Sequence, residues 1–89
     1  MEFLVLLTVD LFYTKAAEQE NIFNSELTKR EWEKVLKGTP IWKTKISSST
    51  SEESMIKKAK EDIAHAACAA GIKKYGAEIY FDGGSSALL

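Results

Sequence analysis

The sequence predicts an α+β domain: a small single-layer sheet of three to four strands, antiparallel or mixed, with two helices packed on one face. Three observations lead there. Residues 51–75 (SEESMIKKAKEDIAHAACAAGIKKY) carry apolar side chains at steps of three and four, the spacing of one buried helix face. Residues 2–13 (EFLVLLTVDLFY) alternate as a strand does, and their first half is apolar on both faces, as expected in the middle of a sheet. Shorter alternating runs at 41–48 and 77–82 supply further strands.

In the first strand Phe3, Val5, Leu7, Val9, Leu11 and Tyr13 share one face, and Leu4, Leu6, Thr8, Asp10 and Phe12 the other. Residues 14–21 (TKAAEQEN) are polar and read as a loop. Residues 21–27 (NIFNSEL) read as a second strand returning antiparallel to the first, with a short helix over 16–20 as the competing assignment. A short helix is expected over 28–37 (TKREWEKVLK). Thr28 and Glu31 have the spacing of a capping box, and Leu27 and Trp32 that of a hydrophobic staple. Trp32, Val35 and Leu36 would form its buried side, with Gly38 and Pro40 as stop signals.

In residues 41–48 (IWKTKISS), Trp42, Thr44 and Ile46 share one face and Ile41, Lys43 and Lys45 the other. The serine-rich run 47–54 reads as a polar linker into the long helix. On that helix Ile56, Ala59, Ile63, Ala66, Ala67 and Ala70 form the core stripe, opposite Glu52, Lys58, Glu61 and His65. Thr50 or Ser51 caps its start, and Glu52 and Glu53 suit the positive end of the helix dipole. Two endings are open. A straight run to Tyr75 points Ile72 away from the stripe, whereas a left-handed cap at Gly71 folds Ile72 back onto Ala67. The helix is expected to hold to Ala70, with a looser continuation to Tyr75. In the last strand, 77–82 (AEIYFD), Ile79 and Phe81 point one way and Glu78 and Tyr80 the other. Residues 83–89 form a tail that either docks on the body or stays disordered. The element order is β-β-α-β-α-β, or β-α-β-α-β without the second strand.

Eighty-nine residues fit one domain. A formal net charge of −1 argues against a protein whose main work is neutralising phosphates. The lone cysteine, Cys68, makes no internal disulfide, which fits a reducing cytoplasm. The apolar run 3–9 lacks a preceding basic region and is far short of the ~20 residues of a spanning helix.

No motif carries a reaction. Gly83 and Gly84 follow a strand without opening a helix, so no phosphate cradle is expected. His65 and Cys68 lie three apart, too few ligands for a metal, and a thiol among alanines suits packing better than catalysis. No metal, cofactor or small-molecule substrate is expected, and no enzyme, unless a second subunit completes a site around Asp10, His65 or Cys68. The leading expectation is a small cytoplasmic protein-binding module, an adaptor or an inhibitor of a larger enzyme, able to act as a homodimer. Its contact residues would be Ala64, Cys68 and Ile72 on the long helix and Leu88 and Leu89 in the tail. The alternative is a nucleic-acid binder using Lys29, Arg30, Lys43 and Lys45, weakened by Trp42 lying on the face opposite the last two.

Overall fold

The computed structural model describes residues 2–12, 17–36, 40–47, 50–81 and 84–89. The chain runs β1 (Glu2–Phe12), α1 (Ala17–Lys29), β2 (Glu33–Lys34), β3 (Ile41–Ser47), α2 (Glu52–Ala70), β4 (Lys74–Phe81) and β5 (Ser86–Leu88). Among the described residues five strands form one sheet in the order β2-β3-β1-β4-β5, every neighbouring pair antiparallel. The first four strands and two helices make two interleaved split β-α-β units, the ferredoxin-like arrangement, and β5 extends the sheet beyond β4. The α+β class and the two helices agree with the sequence reading. The sheet has more strands than expected because β2 and β5 are too short to show an alternating pattern.

Strand β1 is central, paired to β3 on one side and β4 on the other. Val5 lies opposite Thr44 and Phe81, and Leu7 opposite Trp42 and Ile79. The period of two then puts Val5, Leu7, Val9, Trp42, Ala77, Ile79 and Phe81 on one face, where all are buried. They join Phe23 and Leu27 of α1 and Met55, Ala59, Ile63, Ala66, Ala67 and Ala70 of α2 in a single core. The alanine stripe lets α2 lie close to its neighbours. Met55 is fully buried where the sequence pattern centred on Ile56, which sits at the stripe's margin. Ser51 is the N-cap, its hydroxyl accepting from the Ser54 N–H at 3.1 Å.

Both helices end in the same way. Ile72 N–H donates to Ala67 C=O at 2.8 Å and Gly71 N–H to Cys68 C=O at 3.2 Å, with Gly71 left-handed at φ 72°. At the end of α1, Trp32 N–H donates to Leu27 C=O at 3.1 Å and Glu31 N–H to Thr28 C=O at 3.2 Å, with Glu31 left-handed at φ 70°. These are two Schellman motifs. Each folds an apolar residue back onto the core, Ile72 in one case and Trp32 in the other. The Gln19 side chain adds a donor to the α2 end, reaching Ala70 C=O at 3.3 Å and Gly71 C=O at 3.4 Å. Trp32 is further held by its Nε1–H, which donates to Asp62 at 2.9 Å. Asp62 also pairs with Lys58 at 2.6 Å.

Three expectations are corrected. Residues 21–27 are helical, part of α1, rather than a strand. Phe23 and Leu27, four apart, are its buried contacts, and so few apolar positions left the helical period hard to see. The helix expected over residues 28–37 is not there: Thr28 and Lys29 end α1, and residues 30–36 are turn and strand. Thr28 lies in the last turn of α1, its hydroxyl donating back to Asn24 C=O at 2.9 Å. Trp32 is buried as expected, but Val35 and Leu36 are exposed. The looser continuation of the long helix to Tyr75 is absent: α2 stops at Ala70, and Lys74 and Tyr75 open β4. Of the two expectations for the tail, docking is the one seen: Ser86–Leu88 pair with β4 as β5, with Ala87 and Leu89 packed against the core. Tyr13 and the loop's first residues, Lys37, Gly38, Ser48, Ser49, Asp82 and Gly83 lie outside the described residues. Among the described residues no helix is long and apolar enough to cross a membrane.

The two left-handed positions give opposite expectations. Gly71→Ala should destabilise the fold by about 1–2 kcal/mol, the left-handed penalty for a residue with a Cβ. Glu31→Gly should stabilise it by about 0.5–1 kcal/mol, since only glycine takes that conformation without cost. Denaturant unfolding followed by circular dichroism reads both; a stabilising Gly71→Ala would contradict the cap assignment.

Candidate functional site

The helices cover one face of the sheet, and among the described residues nothing covers the other. The even-numbered residues of β1 point there, and the register sets their neighbours. Leu6 lies between Lys43 of β3 and Tyr80 of β4. Thr8 lies between Ile41 and Glu78, and Glu78 is opposite Leu88 of β5. Leu4 pairs with Lys45, Phe12 with Lys74, and Lys43 also faces Glu33 of β2.

This open face is rich in apolar surface. Leu4 is 42% exposed, Phe12 44%, Tyr80 39% and Leu88 80%, with Leu6 and Ile41 half-buried among them. Leu4, Leu6, Tyr80 and Phe81 line a shallow depression of about 200 Å³. A broader one of about 450 Å³ adjoins it at Leu4, bounded by Glu31, Glu33, Lys43, Thr44 and Lys45. Charge on the face is mixed. Lys43, Lys45 and Lys74 are basic; Asp10, Glu33 and Glu78 are acidic. Among the described residues no ion pair engages Lys43 or Lys45. The Tyr80 hydroxyl donates to Glu78 at 2.6 Å.

The residues singled out from sequence fall on different sides of the molecule. Ala64, His65 and Cys68 are exposed on the outer surface of α2. Ile72 is 7% exposed and belongs to the core; the Schellman cap removes it from any outer surface. Leu89 is half-buried against the core, and its N–H donates to Ala77 C=O at 3.0 Å. Leu88 alone of that tail pair points out, onto the open sheet face. Lys29 and Arg30 pair with Glu26 at 3.5 and 2.8 Å at the end of α1. The Arg30 hydrogen bond, more than the nearby Lys29 charge, holds the Glu26 carboxyl below its ordinary range. Lys43 and Lys45 are on the open face instead, so the four basic residues make no single patch. Asp10 is also on the open face, away from His65 and Cys68, and the three share no site. Among the described residues no group of three or more His, Cys, Asp or Glu side chains could hold a metal ion.

Sequence reading missed the open face as a surface. The signal was present in β1, where Leu4 and Leu6 are apolar on the side opposite Val5 and Leu7. It was read as burial on both sides, which would require a layer on each. Comparison with protein-family models, with curated proteins and with solved structures finds no match.

The Tyr80–Glu78 pair gives a pH expectation. Ionising the phenol would break its hydrogen bond to Glu78 and set two negative charges together, so its pKa is raised above 10.0. The pair therefore contributes stability below the ordinary tyrosine pKa, and this is lost as pH rises through the raised value. Ultraviolet titration of tyrosinate, differenced against Tyr80→Phe, should show Tyr80 ionising above the ordinary range. Glu78→Gln should bring it down; an unchanged titration would mean that the hydrogen bond does not form in solution.

Proposed function

We propose that this chain is a small protein-contact module, an adaptor or an inhibitor of a larger enzyme, that works through the open face of its sheet. The observation that carries this reading is the uncovered cluster of Leu4, Leu6, Ile41, Tyr80 and Leu88; Phe12 lies farther along the same face, beyond Asp10. Contiguous apolar surface rimmed by charge is the usual mark of a contact site. The outer surface of α2, with Ala64 and Cys68, is a second contact region on the opposite side. No reaction of its own is assigned to the chain.

One observation favours a second reading. Tyr80 and Phe12 share their face with Lys43 and Lys45, and aromatic and basic residues together on a sheet hold single-stranded nucleic acid in several folds. Asp10, Glu33 and Glu78 on the same face offset those lysines, and affinity for a polyanion depends on uncompensated positive charge. Protein contact therefore leads.

The test is capture of partners by a tagged chain after nuclease treatment, quantified by mass spectrometry, with Leu6→Lys and Ala64→Asp as paired variants. A stoichiometric protein partner should survive nuclease, persist with Ala64→Asp and be lost with Leu6→Lys. Loss with Ala64→Asp alone would move the contact to α2. Partners that vanish with nuclease would establish the nucleic-acid reading instead.

A further inference from the structure

We infer that β5 is a releasable strap on the outer edge of β4, and that its release opens that edge to an extended segment of another protein. Strand β4 is eight residues long. Among the described residues its cover on the outer side is the three-residue β5. A bare strand edge is a template for further pairing, and a very short last strand is one way of blunting it.

The register shows what holds the strap. Phe81 N–H donates to Ser85 C=O at 2.8 Å, and Leu89 N–H donates to Ala77 C=O at 3.0 Å. Ile79 and Ala87, the pair between those two, belong to the same bonded set. Two side chains add to these bonds, Ala87 and Leu89, each half-buried against the core. Ser86 and Leu88 are exposed. Among the described residues no side-chain hydrogen bond or ion pair reaches residues 84–89. The other side of β4 is anchored differently. N–H groups alternate along a strand, so Glu78 and Tyr80 donate toward β1 at the centre of the sheet. Few buried apolar groups and exposed backbone hydrogen bonds are the features of a segment that opens without the rest of the fold.

Strand β5 itself shows what the edge takes. Ala87 lies opposite Ile79 and Leu89 bonds to Ala77, both on the core side, while Ser86 and Leu88 face the other way. An incoming strand can make the same main-chain bonds and set its own apolar residues in the places of Ala87 and Leu89. This is strand addition to a sheet edge, in which main-chain bonds give affinity and alternate side chains give specificity. Lys74, Tyr75 and Gly76 extend past the residues that β5 pairs with. A longer segment with apolar residues at alternate positions therefore meets more of the edge than β5 does.

Amide hydrogen exchange of the intact chain, read residue by residue and corrected for intrinsic rates, tests both steps. Ile79 and Phe81 should exchange on the order of a hundredfold faster than Glu78 and Tyr80, because only the first pair depends on β5. Gly84, at φ 100°, closes the turn with its N–H on Phe81 C=O at 3.1 Å. Gly84→Ala should widen the difference on the order of tenfold, since a Cβ disfavours that conformation, and leave Glu78 and Tyr80 unchanged. Ala87→Asp should release the strap, with circular dichroism confirming that the variant folds. A peptide of the sequence of residues 84–89, at millimolar concentration, should then slow Ile79 and Phe81 again; the same peptide with aspartate for its alanine should not. Equal exchange of the four amides, or exchange indifferent to Gly84→Ala, would overturn the strap. Exchange at Ile79 and Phe81 that the peptide does not slow would overturn the edge as a site for a strand.

Discussion

A two-sided sheet with helices on only one side is the constraint from which the rest of this molecule follows. The crossovers β1-α1-β2 and β3-α2-β4 each join parallel strands across one intervening strand. Such crossovers are right-handed almost without exception. The second unit is related to the first by a half-turn about the sheet normal, so equal handedness sends both helices to the same face. That face holds the core: Val5, Leu7, Trp42 and Ile79 against Phe23, Leu27, Met55 and Ile63. Among the described residues no third element lies on the other side. Yet β1 remains apolar there, at Leu4 and Leu6, and the proposed contact rests mainly on those side chains.

The helical layer is locked by its ends more than by its middle. The alanine stripe of α2 buries little area per residue, so the helix depends on how closely it can approach. Trp32 supplies bulk where alanine does not. It leaves the left-handed turn at Glu31, fills the space between α1 and α2, and donates its indole N–H to Asp62. The Lys58 ammonium lies 5.6 Å from the indole ring and pairs with the same carboxylate. This joins α1, α2 and the start of β2 through one side chain, and it carries β2 to its place beside β3.

Elements whose pattern is local and regular were legible in the sequence. Strand β1, strand β3, the core of β4 and helix α2 all appear from spacing alone, and the Gly71 ending of α2 is one of the two that the spacing allows. Helix α1 was not legible, because among its described residues Phe23 and Leu27 are the only fully buried apolar ones and Ile22 is exposed. The capping-box spacing at Thr28 and Glu31 was misleading for an instructive reason. The same residues close a helix here, with Glu31 in a conformation that an acidic side chain rarely takes. Strand β5 has three residues and becomes a strand only because β4 offers an edge. The open face was half legible: its apolar residues could be named, but not which face the helices would leave bare.

Hydroxyl-radical footprinting of the chain alone and bound to the partner it captures tests the central claim most directly, because it reads the two sides of the molecule at once. Leu4, Leu6 and Tyr80 should lose reactivity in the complex, while Ile22 on the helical side keeps it. Unchanged reactivity on the sheet, or protection that falls on the outer surface of α2 instead, would contradict the claim that the open sheet face is where this protein makes its contacts.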